Sequence, residues 1–255
     1  MVDATSGDEL QTNLETERII DEQAVLQNRP SAFDLAFLSG REAVTEILLI
    51  RHAHQLLDLG GPVGEFADPP LSDLGERQAE LVGAALSTRR IDAVYSSPLQ
   101  RALRTAESIA RHHRLEPVML DDLKEVEVFR DAPPGKTSLE FIGREALAGM
   151  RHRFIYEKTW DVYPYSESSA EFRRRVINAI EGIISGHLDK RVAVVCHGGV
   201  INSYVGHVIG SKYDMLFRPA HTSVNVVAAG DGIRALYVLN DVHHLNTSEK
   251  DFRSV

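Results

Sequence analysis

The sequence predicts an α/β fold: a three-layer sandwich with a mainly parallel sheet and helices on both faces. Residues 47–50 (Ile-Leu-Leu-Ile) and 192–196 (Val-Ala-Val-Val-Cys) are short, wholly apolar runs, as in strands buried on both faces, although periodicity alone also admits a buried helical turn. Stretches with helical spacing alternate with such runs along the chain. Both runs stop at a histidine followed by small residues, His52-Ala53 and His197-Gly198-Gly199. Open α/β sheets bind ligands at the carboxyl ends of their strands, so this edge is where a site is expected.

In order along the chain, residues 1–12 are polar and have the composition of a disordered end. Residues 14–26 carry a partial apolar stripe, Pro30 stops it, and an apolar segment over 33–38 ends at Ser39-Gly40. This N-terminal extension, residues 1–45, either packs on the domain or contacts another subunit, so a homodimer is one expectation. After the first strand, residues 55–70 form a glycine- and proline-rich loop, long enough to suggest a functional role. Ser72 is the N-cap of a helix with Ala79, Val82 and Leu86 on one face, ending near Arg89.

A strand follows over 91–95. Ser96-Ser97-Pro98 turns into a helix over 99–113, with Pro98 in its first turn. A third strand is expected at 117–120. Within 121–165, Pro133-Pro134-Gly135 marks a turn and 138–157 reads as one helix. Residues 168–187 form a helix with Phe172, Val176, Ile180, Ile183 and Ile184 on one stripe. The strand at 192–196 leads into a helix through Ile209. Strands 224–228 and 233–239 then pair around an Asp231-Gly232 turn.

At 255 residues and 43% hydrophobic, the chain can bury a full core as one domain. The net charge of −9 is concentrated at the front: residues 1–46 hold ten acids and three bases, leaving −2 for the rest. That balance argues against non-specific binding to nucleic acid or to an anionic membrane. Cys196 is the single cysteine and sits in an apolar run, so it reads as a small hydrophobe with no disulfide or cysteine metal cluster. No stretch has the length of a membrane span, and the acidic N-terminus does not resemble a signal peptide. A cytoplasmic protein is the expectation.

Arg101 lies in the first turn of the helix after the second strand, at the same sheet edge as the histidines. A cation is locally unfavourable at that end of the helix dipole, so an anion partner is the better reading for it. Arg104, one turn on, reads as a surface residue. Arg51, Arg101, His52, His197 and a helix N-terminus together suit a phosphoryl group: arginine forks match tetrahedral oxyanions, and a neutral imidazole nitrogen can attack phosphorus.

These residues resemble the histidine phosphatase superfamily, also called phosphoglycerate-mutase-like. Arg51-His52-Ala53 matches its Arg-His-Gly except at the glycine. Residues 96–106 match Ser-Ser-x-x-x-Arg-Ala-x-x-Thr-Ala, Leu123-Lys124-Glu125 matches Leu-x-Glu, and His197-Gly198-Gly199 matches His-Gly-Gly. Residues 68–79 match Asp-x-Pro-Leu-Ser-x-x-Gly-x-x-Gln-Ala, and Glu167-Ser168 with Arg175-Val176 follow a further family pattern. The resemblance spans about residues 46–240, and several motifs in order are more specific than any one.

It implies a catalytic domain over 46–245 with a small helical cap insertion at about 126–165, and a tail at 246–255. It also implies that His52 becomes phosphohistidine, that Arg51, Arg101 and His197 hold the phosphoryl oxygens, and that Glu125 protonates the leaving group and then activates water. No metal and no cofactor are implied, and the partner is a small phosphorylated substrate. Glu127 competes with Glu125 for the acid role. His112-His113 and His243-His244 fall outside the motifs and read as surface pairs.

Departures from the pattern cluster after the nucleophile. Ala53 puts a methyl group where backbone is expected to approach phosphate, so Ala53→Gly is expected to raise activity if the methyl crowds it. His54 stands where Glu or Gln is common. Gln55 and Asp58 replace polar residues beside the phosphate, and Asp58 is expected to turn away. His221 is a substrate contact or a plain loop residue, and Tyr156, Trp160, Tyr163 and Tyr165 either shape a pocket mouth or pack the cap. Three functions follow: a phosphomonoester hydrolase, a mutase moving phosphate between hydroxyls, or a phospho-ligand-binding protein without turnover. Residues 126–130 (Val-Glu-Val-Phe-Arg) lack the mutase-like Arg-His-Tyr-Gly, which favours the hydrolase.

Overall fold

The structure, a computed structural model, describes residues 31–39, 44–56, 68–133, 135–247 and 251–254. The expected helix at 14–26, most of the 55–70 loop and Asp58 lie outside the described residues. The chain divides into two units, Met1–Arg41 and Glu42–Val255. In the first, Ala32–Ala36 forms a short helix, α1, whose Ser31 and Asp34 cap each other reciprocally.

The second unit is built on a six-stranded sheet: β1 (Thr45–Arg51), β2 (Ala93–Ser96), β3 (Val118–Met119), β4 (Arg191–Cys196), β5 (Val224–Gly230) and β6 (Ile233–Asp241). Their spatial order is β3-β2-β4-β1-β5-β6. β3, β2, β4 and β1 are mutually parallel, and β5 runs antiparallel to both of its neighbours, β1 and β6, within a mainly parallel sheet. The β5–β6 link is the two-residue turn read from the sequence. Asp231 and Gly232 have φ of 47° and 77°, the pair of positive values that an Asp-Gly hairpin supplies.

Alternation along β1 sends its side chains to two cores. Ile47 and Leu49 meet Phe172, Val176 and Ile180 of α6 (Ser169–Gly186) and Val200, Ile201 and Tyr204 of α7 (Gly198–Ile209). Leu48 and Ile50 meet Val82 and Leu86 of α2 (Asp73–Leu86) and Ala102, Ala106 and Ile109 of α3 (Gln100–His113). The three layers follow from these two sets of contacts.

Local readings needed two changes. The stretch 138–157 is two helices, α4 (Ser138–Ile142) and α5 (Arg144–Glu157), broken at Gly143, whose φ of 88° no right-handed helix accommodates. Pro98 lies before the helix: Leu99 is the N-cap and α3 starts at Gln100. In the segment after β3, Trp160 and Tyr163 pack with Phe154 at ring separations of 5.0 and 5.6 Å, while Tyr156 and Tyr165 are exposed. With Phe129, Leu139, Arg144 and Arg151, Trp160 and Tyr163 line a groove of about 510 Å³. Cys196 is buried in the core, and burial pushes its thiol well above the ordinary range, leaving it inert. No helix among the described residues is long and apolar enough to cross a membrane.

Candidate active site

β1 and β4 are neighbours in parallel register, with Arg51 opposite Cys196. Both chains leave the sheet at the same level, and the ladder runs one step further through His52 N–H to the Cys196 carbonyl at 2.9 Å. That register is why two histidines 145 positions apart have ring centroids 5.0 Å apart. His52 is 4% exposed. Its Nδ1 lies 2.8 Å from the Ala53 carbonyl, which can only accept, so Nδ1 carries the proton and Nε2 presents a lone pair. Burial, then the charges of His197, Arg51 and Arg101, hold this imidazole well below the usual histidine range and keep it neutral.

His197 is fully buried, and burial with the charges of Arg101, Arg51 and Arg175 keeps it neutral too. Its Nδ1 faces the Arg101 guanidinium at 3.5 Å, and its Nε2 lies 2.8 Å from Ser97 Oγ. An arginine only donates, which puts the imidazole proton on Nε2, toward Ser97. Arg101 is buried in the first turn of α3, as its position predicts. The anion expected at that helix end is Asp68: its carboxylate accepts the Gln100 N–H at 3.0 Å and lies 3.5 Å from Arg101. Asp68 thus caps a helix whose own N-cap, Leu99, has no capping side chain. Arg51 donates to the Pro219 carbonyl at 2.7 Å. Arg51 Nε and Arg101 Nε are both buried without an acceptor, a costly arrangement that an oxyanion would relieve.

Glu125 completes the group. Its two oxygens accept N–H bonds from Val126 and Gly199, both at 3.1 Å. The fit is close: a Cβ on Gly199 would lie 2.3 Å from Glu125 Oε1, so the carboxylate would have to move to admit any larger residue. Burial raises the pKa of this carboxyl, against the opposing effect of the two N–H donors and of Arg51 and Arg101. Glu127 faces a different partner, lying 3.9 Å from Arg130. The loop carrying Glu125 is held by Arg175 of α6. That guanidinium pairs with Glu167 at 2.6 Å and donates to the carbonyls of Asp122, Lys124 and Glu125 at 2.7, 2.9 and 3.2 Å. The sequence motif contained both Glu167 and Arg175 but did not show what they hold.

At the rim, His221 lies 5.6 Å from the His52 ring and 5.2 Å from the His54 ring. Burial, then the charges of Arg51, His54 and Arg218, push its pKa down to about 3. His54 is anchored by Ser72 Oγ at 2.7 Å from Nδ1 and by Gln78 Oε1, which accepts its N–H at 2.9 Å. The turn packs against the start of α2 so tightly that a Cβ on Gly75 would lie 1.9 Å from the His54 carbonyl. Gln55 bridges to Leu71, and its side-chain oxygen is buried without a partner. His244, read as a surface residue, is partly buried. Its Nε2 lies 3.0 Å from the hydroxyl of Thr222, a residue with a φ of 56°. Arg104 is exposed, paired with Glu76 and Glu107 at 3.3 Å.

Ala53 corrects an expectation. Its methyl group is fully buried with Leu71 and Ala79, so it fills a small apolar cluster instead of crowding the ligand space. Its N–H donates to Thr105 Oγ1 at 3.0 Å, and Thr105 in turn donates to the Arg101 carbonyl at 2.7 Å. Ala53→Gly is therefore expected to destabilise the fold by about 1 kcal/mol through the lost methyl and the freer unfolded chain. Urea unfolding measures that cost, and kcat/KM should stay within about twofold, since a shift that small is well under 1 kcal/mol of barrier. A clear gain in turnover would restore the crowding argument.

The fold and this cleft define an α/β protein with paired histidines and arginines at the carboxyl edge of its sheet. The model of the histidine phosphatase superfamily, branch 1, matches residues 47–242, and the chain belongs to that family. Over 207 residues it is 31% identical to a metal-independent phosphoserine phosphatase of Arabidopsis thaliana, covering 80% of this chain and 84% of that one. Among solved structures, a phosphoglycerate mutase from Bacillus anthracis superposes with a TM-score of 0.65 at 20% identity, covering 80% and 96% of the two chains. A mutant phosphoserine phosphatase from Entamoeba histolytica, in complex with phosphoserine, gives 0.63 at 24% identity, covering 79% and 100%.

Proposed function

We propose that the protein is a phosphomonoester hydrolase that works through a phosphohistidine at His52, with Glu125 as proton donor. The observation that carries this reading is the locked Nδ1–H of His52, which leaves Nε2 as a neutral lone pair beside two buried guanidinium groups. In the first step Nε2 attacks phosphorus and the ester P–O bond breaks. The leaving oxygen takes the Glu125 proton. Arg51 and Arg101 hold the equatorial oxygens, where charge accumulates, and His197 joins them by turning its Nε2–H from Ser97 to the phosphoryl group. In the second step a water gives its proton to the Glu125 carboxylate and attacks phosphorus. The P–N bond breaks, and inorganic phosphate leaves with both groups restored.

The raised pKa of Glu125 favours the protonated form that a donor needs, and the bond it accepts from the Gly199 N–H, two residues after His197, supports a role beside that histidine. Glu127 lies beside Arg130 instead, 3.9 Å away. The arginines supply the positive charge, so the scheme needs no metal ion. Because the Arabidopsis relative is named for phosphoserine, that ester heads the substrate panel.

The test measures inorganic phosphate release from phosphoserine, 3-phosphoglycerate and para-nitrophenyl phosphate beside interconversion of 2- and 3-phosphoglycerate. Hydrolysis of at least one ester should exceed interconversion. Faster interconversion makes the protein a mutase. Phosphate binding without turnover of any ester makes it a binding protein.

A further inference from the structure

The last described segment, residues 251–254, is anchored against the rim of the cleft. Asn246 pairs with Asp251, and the Phe252 N–H donates to the Leu245 carbonyl at 2.9 Å. The Arg77 guanidinium lies over the Phe252 ring, 5.7 Å from its centroid. Gln78, fully buried on α2, joins this segment to the site: its Nε2 donates to the Phe252 carbonyl at 2.8 Å while its Oε1 accepts the His54 N–H. Ser254 Oγ then lies 2.6 Å from His221 Nδ1. Two rim histidines, His54 and His221, are thus held by contacts leading to the same short segment. The chemistry proposed above uses none of them.

We propose that Ser254 is a positioning residue of the active site: it fixes the His221 ring so that Nε2 meets an oxygen of the phosphoryl group held at His52. A neutral imidazole has one proton. If the Ser254 hydroxyl donates to Nδ1, that proton sits on Nε2, where it can be given to an oxyanion. Without the hydroxyl, ring orientation and tautomer are both free, and the donor is lost for part of the time. The inference rests on the phosphoryl-site reading, but it is a statement about binding and is tested apart from turnover.

The test uses the full chain with Ser254→Ala, Ser254→Thr, His221→Ala and the double Ser254→Ala/His221→Ala variant. Affinity for orthovanadate is read by calorimetry, together with kcat and KM for the best ester. Ser254→Ala should weaken orthovanadate and raise KM about fivefold, the worth of one hydrogen bond, with kcat little changed. Ser254→Thr should restore both. In the His221→Ala background, Ser254→Ala should cost nothing further, the non-additivity expected of two groups acting through one contact. Orthovanadate affinity unchanged in Ser254→Ala, or an equal loss with and without His221, would overturn the proposal. If no ester is hydrolysed, the hydrolase reading falls, and the orthovanadate series still decides this one.

Discussion

His52→Ala should abolish turnover, with a loss of at least about 10⁴-fold in kcat, because a covalent route has no substitute for its nucleophile. A quenched single turnover with radiolabelled ester should show acid-labile phosphoprotein in the native enzyme and none in the variant. Inorganic phosphate should still bind to the variant, since the Arg51 and Arg101 guanidinium groups remain. Residual turnover within about tenfold of the native rate, only ~1.4 kcal/mol of barrier, would mean that water attacks phosphorus directly and that His52 merely lines the cleft.

The same buried imidazole has a pH signature. Its folded pKa is depressed, so below the ordinary histidine value of about 6.5 the unfolded chain binds protons that the folded chain refuses. Stability from His52 and His197 is therefore fully present above that value and is lost as the pH falls below it toward their depressed folded values. Urea midpoints should drop on acidification through this window, and more shallowly in His52→Ala.

The sequence makes legible what short stretches encode. Residues 47–51 pair with 192–196 in parallel, and because a histidine follows each run, the sheet brings the two histidines together. Arg101 could be placed because it sits one residue inside a helix that follows a strand. The direction of the Ala53 methyl could not, because the chain leaves the strand there and two-residue alternation no longer applies. The break at Gly143 has no local sign either, since one glycine is tolerated within a helical pattern and only its φ reveals the bend.

The supporting residues were hidden for a different reason. Arg175 reaches the Glu125 carbonyl across 50 positions, Ser254 reaches His221 across 33, and His244 reaches Thr222 across 22. No local period links such pairs. Arg175 had one sign, a motif pairing it with Glu167. Ser254 had none, lying in a polar tail with no pattern of its own. The groups proposed to do chemistry were legible because they sit at element ends. Those that hold them depend on tertiary contacts.

Glu125→Gln should show the largest effect that depends on the substrate. An amide has no proton to give at neutral pH, so kcat for an alkyl phosphate ester should fall by about 10²–10⁴, the usual worth of a general acid. Para-nitrophenolate leaves without protonation, so its release step should lose far less. A shared oxyanion or packing role would lower both substrates equally, and that outcome would remove Glu125 from the acid role. The amide also has one acceptor oxygen for the two N–H groups of Val126 and Gly199, so part of the loss is positional. Glu125→Asp separates the two effects, because it keeps the proton and shortens the reach. Its loss should be alike for the two esters. In the native enzyme the raised carboxyl pKa sets the alkaline limb: leaving-group protonation requires the acid form, so the alkyl-ester rate should fall as pH rises through that pKa. The limb should vanish in Glu125→Gln. Glu127→Gln should leave both rates and the limb in place, and a leaving-group-dependent loss there would transfer the acid to that residue.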